Sequence, residues 1–498
     1  MPASSPRFRL PCSGLVVRTV LLTSIVGTLP SAASAGDDPA LLAAVASRAD
    51  VGWQHALAIW NWAEPGYQET QSSELLAGWL QAAGFRVDRG IVGIPTAFRA
   101  EFGEGRPVIA ILGEYDALPG LAQAATPLRE PVAGNGYGHG CGHHLFGVAS
   151  AMAAIAVAER IQAGTMKGTI RFYGCPAEEG GSAKAFMVRD GAFQDVDAVL
   201  HWHPGAGNSA GTRSSLARIA VRFRFHGKSA HAGGSPEQGR SALDAVELTA
   251  HAIELLREHT PEETRIHHVI TSGGAAPNIV PDFAEMYYYV RHPRSSVVRQ
   301  VYDRVLKCAE AGALATETRL EIVYEGGIVE LLPNSPLAHI LLKHLKSQCD
   351  LDYSAEEHEF ALRLCESLEA PEPLERIREV SDKSGVVGRG STDVGDVSWV
   401  VPTGGFSTAC WVPGTPGHSW QAVAAGGTTI GRKGMLLAAR VLALSAAELL
   451  TTPDVLAAAR SDHLRRTEKQ GYQSLLLEGQ QPPLDYRVPR TSANPAFE

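Results

Sequence analysis

The run GTIRFYGCPAEEGG at residues 168–181 joins an apolar stretch, 168–174, to a turn that carries two adjacent acids, Glu178 and Glu179. The first half reads as a short buried strand, and polar, reactive groups at the end of such a strand are the habit of α/β proteins. Neighbouring carboxylates repel one another unless a cation or a proton offsets the charge. The pair therefore points to one group that binds metal and one that handles protons, with a solvated acidic turn as the plain alternative.

Outward from this stretch, similar features recur. Residues 107–112 read as another short buried strand, ending in Gly-Glu-Tyr-Asp-Ala-Leu-Pro at 113–119. Gly-His-Gly-Cys-Gly-His-His at 138–144 stands just before a small-residue helix at 145–162. A thiolate and two or three imidazoles in seven residues suit a borderline metal such as zinc, and the glycines let the backbone fold tightly around it. The alternative is a Gly-rich turn with incidental histidines. Downstream, a strand at 196–203 ends in His201-Trp202-His203-Pro204, where alternation puts both histidines on one face and makes either a candidate ligand. Gly417-His418-Ser419-Trp420 adds a histidine that, alone, reads as a surface residue. Four strand ends or loops each supplying Cys, His or Glu is what a two-metal hydrolytic site requires, because its ligands must converge from different parts of a rigid sheet.

Between about 214 and 324 the pattern changes to strand 217–226, helix 241–259, strands 265–271 and 282–291, helix 297–314 and strand 320–324. This β-α-β-β-α-β order is the ferredoxin-like unit, inserted here into an α/β domain. Amphipathic helices are expected at 41–62 and 70–83 before it. Helices at 335–348 and 356–368, a Gly-rich segment at 385–427 and helices at 431–450 and 454–469 are expected after it. The last ~25 residues, with Pro482, Pro483, Pro489 and Pro495, read as a loosely attached tail. The expected organisation is a signal segment at 1–35, a discontinuous catalytic domain at 36–213 and 326–470, an inserted domain at 214–325 and a tail at 471–498.

Two domains suit a chain of 498 residues, since one core rarely serves more than about 200. The net charge of −9 argues against a nucleic-acid partner. Arg7, Arg9 and Arg18 precede an apolar run at 20–29 and Ala33-Ser34-Ala35, a pattern expected of a secretory signal and hence of an exported, periplasmic or secreted protein; an uncleaved anchor is the alternative. No other stretch approaches the roughly 20 apolar residues of a membrane span. Seven scattered cysteines do not read as a disulfide framework.

The motifs taken together resemble the dinuclear metallo-amidohydrolases of the aminoacylase and glutamate carboxypeptidase superfamily. The resemblance rests on 113–119, 138–144 and Cys-Pro-Ala-Glu-Glu-Gly-Gly at 175–181. It extends through Trp-His-Pro at 202–204, Gly-Lys-Ser-Ala-His-Ala at 227–232, Ala-Pro-Asn-Ile-Val-Pro at 276–281, Ser-Thr-Asp-Val-Gly-Asp-Val-Ser-Trp at 391–399 and Gly-Thr-Pro-Gly-His-Ser-Trp at 414–420. It implies a metallopeptidase-type three-layer α/β catalytic domain with an inserted ferredoxin-like lid and dimerisation domain. By position it implies metal ligands Cys141, His143, Glu179, His203 and His418 for two divalent ions, Zn2+ or Mn2+. Glu178 is the implied general base, and Asp116 the residue beside it that orients a ligand. His231 and Asn278 in the inserted domain would grip substrate, the histidine often reaching across a dimer. His201 and His144 depart from the family pattern. The implied substrates are N-acyl or N-aroyl amino acids or dipeptides, and the implied assembly is a homodimer or a heteromer with a related chain.

Two rival readings stand beside this one. Gly207-Asn208-Ser209-Ala210-Gly211 matches the G-x-S-x-G pattern of serine hydrolases, but it sits in a loop and lacks the helix that a nucleophile elbow requires after the serine. A non-catalytic metal- or peptide-binding member of a heteromer is the other, against which stands Glu178 beside a complete ligand set.

Overall fold

Among residues 38–134 and 136–488, which the computed structural model of the chain describes, the strands are β1 (Arg86–Arg89), β2 (Phe98–Glu104), β3 (Val108–Glu114), β4 (Leu118–Pro119), β5 (Tyr137–Gly138), β6 (Gly168–Cys175), β7 (Ala198–Gly205), β8 (Asn208–Ala210), β9 (Ala217–His226), β10 (Arg265–Ser272), β11 (Phe283–His292), β12 (Arg319–Ile328), β13 (Val380–Asp382) and β14 (Thr403–Ala409). The signal segment expected at 1–35 lies outside the described residues. Eight strands form one mixed sheet in the order β1-β2-β6-β3-β7-β14-β8-β13. Its centre, β6-β3-β7-β14, is parallel, and β2 joins it antiparallel.

All seven residues of β3 are buried, and their alternation makes the three layers. Ile109 and Ile111 point into the larger core, beneath helices that include His143–Gln162, Ser335–Gln348 and Thr429–Thr451. Val108, Ala110 and Leu112 face a smaller core with Met187, Val188, Val394 and Val397 from helices Ala183–Arg189 and Val394–Val400. A strand covered on both faces has no polar side to show, which is why this one reads as a continuous apolar run. Helices His143–Gln162 and Thr429–Thr451 are long and apolar enough to cross a membrane. That corrects the expectation that no segment beyond the N-terminal one approaches this length. Both are sunk in the larger core, where small residues such as Ala149, Ala153, Ala156, Ala439 and Ala443 are fully buried.

The second sheet has the order β10-β11-β9-β12, antiparallel throughout. Helices Ala242–Arg257 and Ser295–Thr316 cover one face, burying Val246, Ile253, Val301 and Val305 against Val221, Phe223 and Met286. This is the ferredoxin-like arrangement. The chain enters and leaves it side by side, where Ser214 Oγ donates to the Leu331 carbonyl at 2.8 Å and the Leu331 N–H donates to Ser215 Oγ at 2.9 Å.

Residues 472–488 do not hang loose as expected. Tyr472 Oη donates to Asp396 Oδ1 at 2.8 Å, Leu475 is buried in the core of the second sheet, and Tyr324 Oη donates to its carbonyl at 2.6 Å. The segment then returns to the large sheet, where Gln68 Nε2 donates to the Leu484 carbonyl at 2.8 Å and the Tyr486 ring meets Tyr67 edge-on at 5.8 Å. It is a strap across both sheets. The prolines misled: a Pro-rich segment resists regular structure, yet apolar anchors spaced along it are enough to fasten it.

Candidate metal centre

The expected ligands gather at the carboxyl end of the parallel strands, where open α/β sheets keep their sites. β3 ends in Glu114 and leads to Asp116; β6 leads into Glu178 and Glu179; β7 carries His203. Cys141 and His143 stand at the start of helix His143–Gln162, and His418 lies between β14 and the helix Trp420–Gly426. Gly142 needs to be glycine: its φ is +74°, and a Cβ there would sit 2.7 Å from the Pro204 Cβ. His418, with φ +57°, is held by its N–H donating to the Gly140 carbonyl at 2.9 Å.

The donor atoms form three groups, each within 4.8 Å: Cys141 with His143 and His203, Cys141 with Glu179 and His418, and Glu114 with His143 and Glu178. Cys141 is common to the first two. Cys141 Sγ lies 3.2 Å from His203 Nε2, while His203 Nδ1 faces its neighbour's carbonyl at 2.7 Å. Asp116 touches no part of the open cavity. Its Oδ1 is 2.8 Å from His143 Nδ1 and its Oδ2 accepts the Glu179 N–H at 2.9 Å, so it fixes the His143 ring and the Glu179 backbone.

Whether these residues fit metal can be judged from their unmet atoms. Glu114 Oε2, His143 Nε2 and Glu179 Oε1 are buried without a hydrogen-bond partner. Yet Glu114 Oε2 is 3.1 Å from His143 Nε2, and Glu179 Oε1 is 3.1 Å from His418 Nε2. Buried lone pairs brought together without hydrogen-bond geometry are costly unless a cation takes them. The charges agree. Burial and the carboxylates of Glu114, Glu179 and Asp393 push the Glu178 carboxyl well above its ordinary range. Burial and Glu179 push the Cys141 thiol up likewise, a penalty that a bound divalent cation reverses. The set fits two ions.

A buried cation completes the centre. Lys184 Nζ, fully buried, sits 2.7 Å from Glu114 Oε1 and 2.7 Å from Asp393 Oδ1. None of these three was singled out from the sequence, though Glu114 and Asp393 fall inside quoted motifs. Glu114 stands at a strand end as Glu179 nearly does, and that position was the available signal.

The two histidines of β7 separate. His203 is beside Cys141; His201 lines the same cavity with Nε2 unpartnered, its ring against Gly405, where a Cβ would be 2.1 Å from Nε2. Burial and the nearby His203 lower the His201 pKa to about 3, so it is neutral. His203→Ala should lose at least one of two bound metal equivalents, measured by elemental analysis after dialysis, while His201→Ala keeps both. Retention by the first and loss by the second would reverse the assignment. His144 turns away, its Nε2 3.1 Å from the Gly426 carbonyl. His231 and Asn278 are not brought to the centre: they lie on exposed loops of the second sheet, joined by the Ala232 N–H donating to the Asn278 carbonyl at 3.0 Å. Ser209 lies in β8, followed by β9 rather than a helix, so no nucleophile elbow forms.

The cavity at the centre is about 570 Å3, the size of a small-molecule site. A mixed sheet with ligands at its carboxyl edge, two donor groups sharing a thiolate and a spare carboxylate beside them define a dinuclear metal-dependent amidohydrolase. The comparisons with known proteins agree. The family model "peptidase dimerisation domain" matches residues 214–317. The chain is 41% identical to one of the chains of the p-aminobenzoyl-glutamate hydrolase of Escherichia coli, over 83% of this chain and 92% of that one. It is 30% identical to the Xaa-Arg dipeptidase of Mus musculus over 81% and 87%. The fold matches a dinuclear metal-binding M20 peptidase from Bacillus subtilis with a TM-score of 0.55 at 18% identity, covering 83% of this chain and all of that one. An aminobenzoyl-glutamate utilization protein from Klebsiella pneumoniae matches with a TM-score of 0.58 at 18% identity, over 82% and 98%. The chain belongs to the M20 peptidase family.

Proposed function

We propose that this protein hydrolyses the amide bond of N-acyl or N-aroyl amino acids or dipeptides and releases the free amino acid, with Zn2+ or Mn2+ in the centre. The observation that carries the reading is Cys141, common to two donor groups with Glu178 alongside. Cys141, His143 and His203 would hold one ion, and Cys141, Glu179 and His418 the other. Two such ions supply Lewis acidity toward the amide carbonyl and lower the pKa of an attacking water. Glu178, on the cavity wall, takes that water's proton and returns it to the leaving nitrogen. Lys184 holds the Glu114 side chain in place beside His143. His231 and Asn278, which do not line their own chain's cavity, would act in that of a partner, a second copy or a related chain. The Escherichia coli hydrolase offers a parallel: a further chain of that enzyme is 27% identical to this protein over 268 residues. The N-terminal pattern supports export.

The test is turnover of N-acetyl, N-benzoyl and dipeptide substrates by full-length protein stripped with chelator and reloaded with zinc or manganese. Hydrolysis that vanishes on stripping and returns on reloading is the expected result. Two metals bound with every substrate untouched would instead identify a binding protein that has kept the fold.

A further inference from the structure

Glu178 is carried by a strained turn. Ala177, the residue before it, is fully buried and has φ +54°, in the left-handed region that a side chain disfavours. Such a conformation persists only where its surroundings hold it, and beside an active site it fixes the aim of a neighbouring group. Both backbone polar groups of Ala177 are taken: its carbonyl accepts the Ser182 N–H at 2.7 Å, and its N–H donates to Glu69 Oε1 at 2.8 Å. Its Cβ fills a niche cut by two glycines, since a Cβ on Gly66 would lie 2.9 Å from it and one on Gly181 2.6 Å. Gly66 also makes room for Tyr486 of the strap, whose Oη a Cβ there would meet at 2.4 Å.

Glu69 has no part in the chemistry described above, yet its carboxyl is fully buried. It stands just before the helix Thr70–Ala82, and Thr96 Oγ1 donates to its Oε2 at 2.9 Å. The Thr96 carbonyl in turn accepts from Tyr115 Oη at 2.5 Å, and Tyr115 lies between Glu114 and Asp116. This chain of bonds, from Tyr115 through Thr96 and Glu69 to Ala177, ties the end of β3 to the turn after β6. Glu178 is thereby bracketed: Glu69 takes the N–H of the residue before it, and Asp116 takes that of Glu179 after it. Arg487 of the strap adds a third hold on the turn, its Nη2 donating to the Glu179 carbonyl at 2.9 Å. Burial and the Asp116 carboxylate push the Glu69 carboxyl up to about 8, so near neutral pH it is mostly the neutral acid, which still offers a carbonyl oxygen to an N–H. A glutamine can do the same; an alkyl chain cannot.

We propose that Glu69 is a positioning residue for the general base: by holding Ala177 in its left-handed conformation it aims Glu178 into the cavity. The inference rests on the amidohydrolase reading above. Its test measures kcat, KM and bound metal on metal-loaded, full-length protein, with whichever N-acetyl, N-benzoyl or dipeptide substrate wild type hydrolyses. Glu69→Met should lower kcat about 10- to 100-fold, the cost of a catalytic group displaced by an ångström or so, while KM and both metal equivalents are kept. Glu69→Gln should retain most of the wild-type kcat, because its amide oxygen still accepts the Ala177 N–H. Glycine adopts the left-handed conformation without strain, so adding Ala177→Gly to Glu69→Met should recover part of the lost kcat. Where the methionine variant does not fold, Glu69→Asp takes its place: it keeps the acid, draws it back by one methylene, and should show the same loss and the same recovery. An unchanged kcat, or a loss that Ala177→Gly leaves untouched, would overturn the inference and make Glu69 a packing residue. Loss of metal together with kcat would overturn it too, by assigning Glu69 to the ligand Glu179. If wild type turns over no substrate, the hydrolase reading falls and crystal structures of the same variants decide the positioning. Ala177 displaced from the left-handed region upholds it; an unmoved turn overturns it.

Discussion

Glu178→Gln is expected to lower kcat about 10^2- to 10^4-fold, the usual contribution of a positioned general base, while two metal equivalents stay bound. The substitution keeps the shape of the side chain and removes only its ability to take a proton. Glu178 belongs to the donor group with Glu114 and His143, apart from the two groups that share Cys141. Metal content and kcat therefore part company in this variant, whereas in Glu179→Gln they should fall together. Elemental analysis beside steady-state kinetics checks both. A Glu178→Gln enzyme within tenfold of wild type would remove the residue from the proton pathway. Loss of metal from that variant would make it a ligand instead.

Lys184→Met is expected to destabilise the catalytic domain by about 3–5 kcal/mol, the cost of removing one partner from a buried ion pair. The methionine fills the space but leaves Glu114 and Asp393 facing each other across it without a cation. Their oxygens now sit 2.7 Å either side of the Lys184 Nζ, and the backbone N–H of Lys184 donates to Asp393 Oδ2 at 3.0 Å, which ties the helix Ala183–Arg189 to the same acid. Urea unfolding followed by tryptophan fluorescence measures the change. Adding Asp393→Asn should restore part of it, because the second substitution removes one of the two stranded charges. No loss in the single variant, or no recovery in the double, would mean that the triad is not the electrostatic unit its geometry describes.

The parts of the molecule legible in sequence were those in which one local rule acts alone. β9 spans the residues expected because ARIAVRFRFH alternates cleanly between a buried and a half-solvated face. The helix Ser335–Gln348 begins where Asn334 caps it and a proline opens it. β1 and β2 were missed because an antiparallel edge rich in arginine and acid, RVDR and FRAEFGE, looks like surface until Arg86 is seen opposite Glu101 and Arg99 opposite Asp88. β14 was hidden in a Gly-rich segment, where Gly404 and Gly405 admit Leu337 and His201 side chains too close for a Cβ. The expected ligand residues, carried over from the family resemblance, do lie near one another. Lys184 could not be foreseen, since nothing local marks a lysine in AKAFMVR as buried; its partners lie 70 residues before it in Glu114 and 209 after it in Asp393. For the same reason the strap escaped notice: its meaning lies wholly in distant residues, Gly66, Tyr324 and Glu179 among them.

That strap changes how the two sheets can move. A body joined to another at two neighbouring points, as at Ser214 and Leu331, keeps one free rotation, about the line through them. A third attachment off that line removes it. Residues 472–488 supply several, at Asp396, Tyr324, Gln68 and Glu179. Any swing of the inserted domain wide enough to admit a substrate therefore has to unfasten the strap. Opening of the cavity by such a swing and release of the strap become a single degree of freedom.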